Sequence, residues 1–342
     1  MNSDKSTRVF GLDVVRALAI LCVVSVHFFK HTKFQLAVFE GPSMFIQGML
    51  KYFFSMGVPL FILLTGFLNC RKTASLRYYR GGLRVIGIYL FWSVVTCIYF
   101  LLLEKDSSVY KLVMGIFSFT TIDYAWYIEM WIGLFLLIPF LNIMWWGCPS
   151  RKHKFLLIGT LYVMTCVPIF INRYDLELVP KYWAGCYPLV YYFIGAYIAE
   201  YRPKLNCGCW LFVVLLCLVN PLFSAVFFSQ HTMVQIMGEP SGAIGVIMPV
   251  LVFILCYRWE IRSNAVRWLI ASVSIVSLDM YLCSYMFDKS LYPYFKETFN
   301  WQNNSQAGHY FAIVVLTIFT ASYAAAKIRW SMTNLTHVAW KK

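Results

Sequence analysis

The chain has 342 residues, of which 60% are hydrophobic and 13% charged. Soluble domains carry roughly a quarter charged residues, so this composition excludes an ordinary soluble enzyme and a disordered chain. Apolar runs of about 20 unbroken residues also exclude an outer-membrane barrel, whose strands alternate over about ten. The expected class is an all-α integral membrane protein. Its net charge is +14, and in such a protein Lys and Arg report orientation in the bilayer rather than nucleic-acid binding.

Spans of about 20 apolar residues are expected near 9–30, 48–69, 84–103, 124–146, 154–171, 182–199, 209–229, 241–257, 268–287 and 308–326. The stretch 109–119 is apolar but short and reads as a re-entrant or interfacial piece. With the N-terminus inside, the inner segments hold nineteen of the 29 Lys and Arg residues and the outer segments nine; Arg16 lies within the first span. This bias predicts ten spans with both ends inside, N-in and C-in. No linker and no internal repeat divides residues 1–342. One transmembrane bundle is expected, with no soluble domain.

Polar residues inside these spans are the candidates for function. Asp13 and Arg16 are three residues apart on one helical face and are expected to form an ion pair. The pair reads either as a topology anchor or as an anion site open to the cytoplasm. His27 follows Arg16 by eleven residues, about three turns or 16 Å, so the two share a stripe at different depths. It reads either as an interface residue or as a catalytic base. His31, His153, His231, His309 and His337 fall in loops or at span ends, and none pairs at ligand spacing, so no metal is expected. Glu129 lies about 8 Å below the outer end of span four, a depth similar to that of His27, where a carboxylate could orient the imidazole. Asp279 is the third acid within a span, on a helix that also carries Ser277, Tyr281 and Ser284.

Arg71, Lys72, Arg77, Arg80 and Arg84 form the densest basic stretch, in an inner loop. They suit positive-inside placement against anionic membrane lipid and equally a phosphorylated ligand. Trp126, with other outer aromatics such as Tyr124, Tyr292 and Trp301, suits an interfacial belt or sugar stacking. Cys207 and Cys209 form an isolated C-x-C pair, and most other cysteines sit singly in apolar runs as small hydrophobes.

Leu12-Asp13-x-x-Arg16, with ten residues between Arg16 and His27, resembles the opening helix of the bacterial membrane acyltransferase type 3 family. Three further segments are similar to that family: Arg84–Trp92 with the basic stretch before it, Ala125–Leu141 and Tyr192–Tyr197. The resemblance spans nearly the whole chain. It implies ten spans with both ends inside, in a bacterial cytoplasmic membrane. It also implies an enzyme that moves an acyl group, usually acetyl, from cytoplasmic acyl-CoA to a hydroxyl of an extracytoplasmic polysaccharide or lipid-linked glycan. His27 would match the catalytic histidine, as base or acyl carrier, and Arg16 its paired arginine. Arg80 and Arg84, with Arg77 beside them, would match residues toward the acetyl-CoA donor. On the acceptor side Asp279, Trp126 and Tyr281 are the candidates. Where the family often carries a His-Pro pair near span nine, this chain has Ser284.

The other reading is a transporter or a subunit binding an amino-acid-like molecule, with Asp13, Arg16, Glu129 and Asp279 along its path. Membrane domains similar to this family are attached to amino-acid racemases. Dependence on acyl-CoA and on His27 separates the two.

Overall fold

The computed structural model describes residues 9–103, 108–172, 177–227 and 241–339. Among them the architecture is helical: α1 (Phe10–His31), α2 (Gly41–Phe54), α3 (Gly57–Asn69), α4 (Leu76–Leu103), α5 (Val109–Phe117), α6 (Trp126–Gly147), α7 (Arg151–Thr165), α8 (Val167–Ile171), α9 (Pro188–Tyr201), α10 (Cys209–Phe227), α11 (Ile247–Cys256), α12 (Asn264–Thr298), α13 (Asn304–His309) and α14 (Phe311–Ala339).

Among the described residues, six helical stretches are long and apolar enough to cross a membrane: Phe10–His31, Gly41–Asn69, Leu76–Leu103, Trp126–Gly147, Asn264–Thr298 and Phe311–Thr333. The other four expected spans fall on shorter helices: α7 with α8, α9, α10 and α11. Three long helices run past the ends read from hydropathy. α4 begins at Leu76 rather than 84, α12 ends at Thr298 rather than 287, and α14 continues beyond 326. Polar residues on a helix that leaves the apolar layer stop the hydropathy signal but not the backbone hydrogen bonding.

The predicted second span is two helices. Pro59 has no N–H to donate to the carbonyl of Ser55 four residues earlier, and the helix breaks at Ser55–Met56. A proline inside α6 is handled differently. Pro139 leaves the carbonyl of Phe135 without its helical donor, and the Tyr78 hydroxyl of α4 donates to that oxygen at 2.6 Å. A partly buried carbonyl is thereby satisfied, and α4 is tied to α6.

α1 is the central helix. It packs against α12 and α3, and also meets α2, α11 and α14. The α3–α9 crossing brings the two backbones into contact through glycine. A Cβ on Gly66 would lie 2.1 Å from the Tyr192 carbonyl oxygen, and one on Gly195 would lie 2.3 Å from that of Leu63. Small residues permit such approach between membrane helices. Asn142 of α6 then fixes the turn after α3. Its amide donates to the carbonyls of Asn69 and Lys72 at 2.8 and 2.7 Å, while its oxygen accepts from the Tyr192 hydroxyl at 2.5 Å.

Candidate functional site

Two polar regions occupy opposite ends of α1. Near its C-terminal end, His27 is buried and points Nδ1 at Asp288 of α12, 3.4 Å from Oδ2. Asp288 is itself fully buried. The same oxygen accepts from the Tyr124 hydroxyl at 2.6 Å and lies 3.7 Å from His31 Nε2. Tyr124, in the turn before α6, stacks its ring on His27 with centroids 3.7 Å apart. Its hydroxyl also meets His31 Nε2 at 2.7 Å. A carboxylate, two histidines and a phenol thus converge in a dry place, where electrostatic interactions are strong. Within this cluster His27 Nδ1, Asp288 Oδ1 and the Tyr292 hydroxyl are buried without a hydrogen-bond partner. Such groups are uncommon in folded proteins.

At the other end of α1, Asp13 and Arg16 are bridged by Ser274 of α12. Ser274 Oγ donates to Asp13 Oδ1 at 2.6 Å and accepts from Arg16 at 3.1 Å; the direct Arg16–Asp13 separation is 3.9 Å. The pairing expected from the i,i+3 spacing is present. Arg16 faces a cavity of about 850 Å³ lined also by Asp13, Arg84, Arg202 and Leu278. A second cavity of about 270 Å³ lies against it, lined by Arg16, Thr65, Tyr127, Trp131, Ser277 and Tyr281 among others. Arg16, Leu68, Val85, Ser277 and Leu278 border both. From the wall of the smaller cavity, Tyr281 donates its hydroxyl to the Tyr124 carbonyl at 2.6 Å. The residue stacked on His27 is therefore held directly by a residue of this wall.

The remaining sequence candidates are dispersed. Glu129 does not reach His27: it is exposed on the first turn of α6, and the carboxylate beside His27 is Asp288. Trp126 is 44% exposed. Arg77 and Arg80 are exposed on the first turns of α4, and Arg84 is the member of that stretch that borders the large cavity. Asp279 is buried in an interhelical clamp. Arg329 of α14 binds it through both Nε and a terminal nitrogen, the latter at 2.9 Å, and the indole of Trp92 donates to Oδ1 at 2.8 Å. Both its oxygens are engaged in joining α4, α12 and α14.

Sequence reasoning missed Asp288, Tyr124, Arg202 and Arg329 as site or pairing residues. Asp288 lies one residue beyond the span drawn at 268–287, and Arg329 lies three beyond 308–326. In sequence Tyr124 is one of the outer aromatics that suit an interfacial belt. Arg202 caps α9 in a left-handed conformation, with its guanidinium 4.6 Å over the Phe67 ring.

A bundle with six helical stretches among the described residues fit to cross a membrane, and with ionisable side chains buried between its helices, is a multi-pass membrane protein. The chain belongs to acyltransferase family 3: the family's acyltransferase domain matches residues 9–326, nearly its whole length. No curated protein and no solved structure matched it. Family and fold together support a membrane acyltransferase.

Proposed function

We propose that the protein is an O-acyltransferase of a bacterial cytoplasmic membrane. It takes acetyl from cytoplasmic acetyl-CoA and passes it to a hydroxyl of an extracytoplasmic polysaccharide or lipid-linked glycan. The observation that carries this reading is the placement of an arginine-bordered cavity on one side of the Tyr124–Tyr281 contact and the His27–Asp288 pair on the other.

Coenzyme A is a polyanion, and guanidinium groups bind phosphates by charge-assisted hydrogen bonds. Arg84 and Arg202, with Arg16 deeper in, are the donor-side residues of this reading. The N-terminal end of α1 then faces the cytoplasm. The narrow thioester arm extends into the smaller cavity, toward Tyr127 and Tyr281.

At the far end, Asp288 Oδ2 stands 3.4 Å from His27 Nδ1; in the reacting complex that gap closes to a hydrogen bond, the Nδ1 proton turns to the carboxylate and Nε2 is left basic, as in a base with its orienting carboxylate. The acceptor hydroxyl gives its proton to Nε2 while its oxygen bonds to the thioester carbonyl carbon. The carbon–sulfur bond then breaks, and the proton passes from His27 to the departing sulfur. The products are the acetyl ester and CoA, with no net proton change.

The test follows labelled acetyl-CoA with purified protein in lipid, wild type beside His27→Ala. CoA release that depends on His27, with label appearing on an added polysaccharide precursor, is the expected result. Folded wild-type protein that neither binds nor turns over acetyl-CoA would contradict the proposal and favour the transport reading.

A further inference from the structure

The acid–base reading of His27 gives no task to His31, one helical turn further along α1. Yet His31 is bonded into the same cluster. Its ring stacks on Tyr292 with centroids 4.6 Å apart and planes within 14°, and its Nε2 is 2.7 Å from the Tyr124 hydroxyl. The direction of that hydrogen bond follows from the next one. Tyr124 donates to Asp288 Oδ2 at 2.6 Å, and that contact uses the phenol's only hydrogen. Toward His31 the Tyr124 oxygen can then only accept, which places a proton on His31 Nε2. A directed chain results: His31 Nε2–H donates to Tyr124, Tyr124 O–H donates to Asp288, and Asp288 faces His27 Nδ1.

The chain bears on His27 in two ways. The Tyr124 ring covers one imidazole face, with planes 23° apart, and its hydroxyl binds the carboxylate that the imidazole edge faces. Were the phenol's hydrogen to turn toward His31, fully buried Asp288 would lose its shortest hydrogen bond, a costly arrangement in a dry site. A donor at position 31 forbids that turn, and hydrogen bonds arranged head to tail strengthen one another.

We propose that His31 is a positioning residue for the chemistry of His27. By donating to Tyr124 it keeps the phenol's hydrogen on Asp288, whose Oδ2 stands 3.4 Å from His27 Nδ1; closing that gap in the reacting complex fixes the His27 tautomer with its proton on Nδ1 and its basic nitrogen at Nε2. The kinetic consequence rests on the acyltransferase reading, whereas the tautomer does not.

The test compares wild type, His31→Ala, His31→Gln and Tyr124→Phe in lipid by two readouts. The first is kcat and KM for acetyl-CoA. The second is the nitrogen-15 solid-state NMR signature of the His27 tautomer, assigned by its loss in His27→Ala. Glutamine offers an N–H donor in place of the imidazole, and phenylalanine keeps the stack on His27 without the hydroxyl. In His31→Ala and Tyr124→Phe, kcat is expected to fall about tenfold, part of the 10²–10⁴-fold that acid–base catalysis supplies. KM should stay within about twofold, the signature of an interaction that acts on the reaction step rather than on donor binding. The His27 signal should change from the Nδ1–H form to a mixture of tautomers, and His31→Gln should restore most of both.

An unchanged His27 tautomer in His31→Ala and Tyr124→Phe would overturn the proposal, as would His31→Gln behaving like His31→Ala. Should His31→Ala not fold, Tyr124→Phe carries the same decision. Wild-type protein without turnover would refute the acetyl-CoA reading and leave the tautomer measurement to decide the role of His31.

Discussion

One helix serves two unlike environments. Arg16 leaves 31% of its side chain exposed beside a wide cavity, whereas His27 leaves 10% and faces an Asp288 side chain with none. At the first site the Arg16 charge is partly exposed, where screening is stronger, as suits a diffusible anion that must bind and leave. Charges at the second act in low dielectric, where one misplaced partner changes the energy of a reaction step. Substitutions at the Arg16 end should therefore act on donor binding, and those at the His27 end on rate.

The largest effect is expected from His27→Ala. It should lower kcat for acyl transfer by about 10²-fold or more and leave the thermal unfolding of the protein in lipid near wild type.

Two buried aspartates on α12 sharpen the contrast. Asp288→Asn should lower kcat by about tenfold or more, because an amide no longer dictates the His27 tautomer. Asp279→Ala should act on stability instead, because it leaves the Arg329 guanidinium buried without its carboxylate. The expected loss is about 3–5 kcal/mol, read as a lower unfolding temperature with kcat of the folded fraction retained. A large kcat defect without destabilisation in Asp279→Ala would break the distinction between the two sites.

At the other end of α1, Arg84→Ala and Arg202→Ala should each raise KM for acetyl-CoA about tenfold with kcat unchanged, as expected for uniform binding to a phosphate. Equal losses in kcat would show that the cavity does more than bind. The smallest effect is expected for Glu129→Gln, within about twofold in both constants, since exposed Glu129 is not the carboxylate beside His27.

The first helix was the most legible part of the chain. Asp13, Arg16 and His27 lie on one segment, so helical spacing alone places them on one stripe at known depths. What that spacing cannot supply is the partner from another helix. Glu129 had a depth similar to that of His27, but depth says nothing about which face a residue takes. The carboxylate that meets His27 comes from α12, 261 positions away in sequence. Hydropathy failed for a related reason. Asp288 and Arg329 are polar residues at or beyond the drawn ends of spans nine and ten, where the apolar signal fades while the helix continues. Arg329, beyond the drawn end of span ten, is the partner of Asp279. Tyr124 could not be separated from the interfacial aromatics by composition, since its role depends on a stack and two hydrogen bonds made across the fold.

On the proposed reading, donor enters from the Arg16 end and is consumed at the His27 end. The most direct test uses sealed proteoliposomes of defined orientation, with labelled acetyl-CoA supplied to one face only. Turnover is predicted when the N-terminal face of α1 is supplied, to be absent when only the opposite face is, and to be lost in His27→Ala. Equal turnover from both faces, or turnover that survives His27→Ala in the folded protein, would contradict the account.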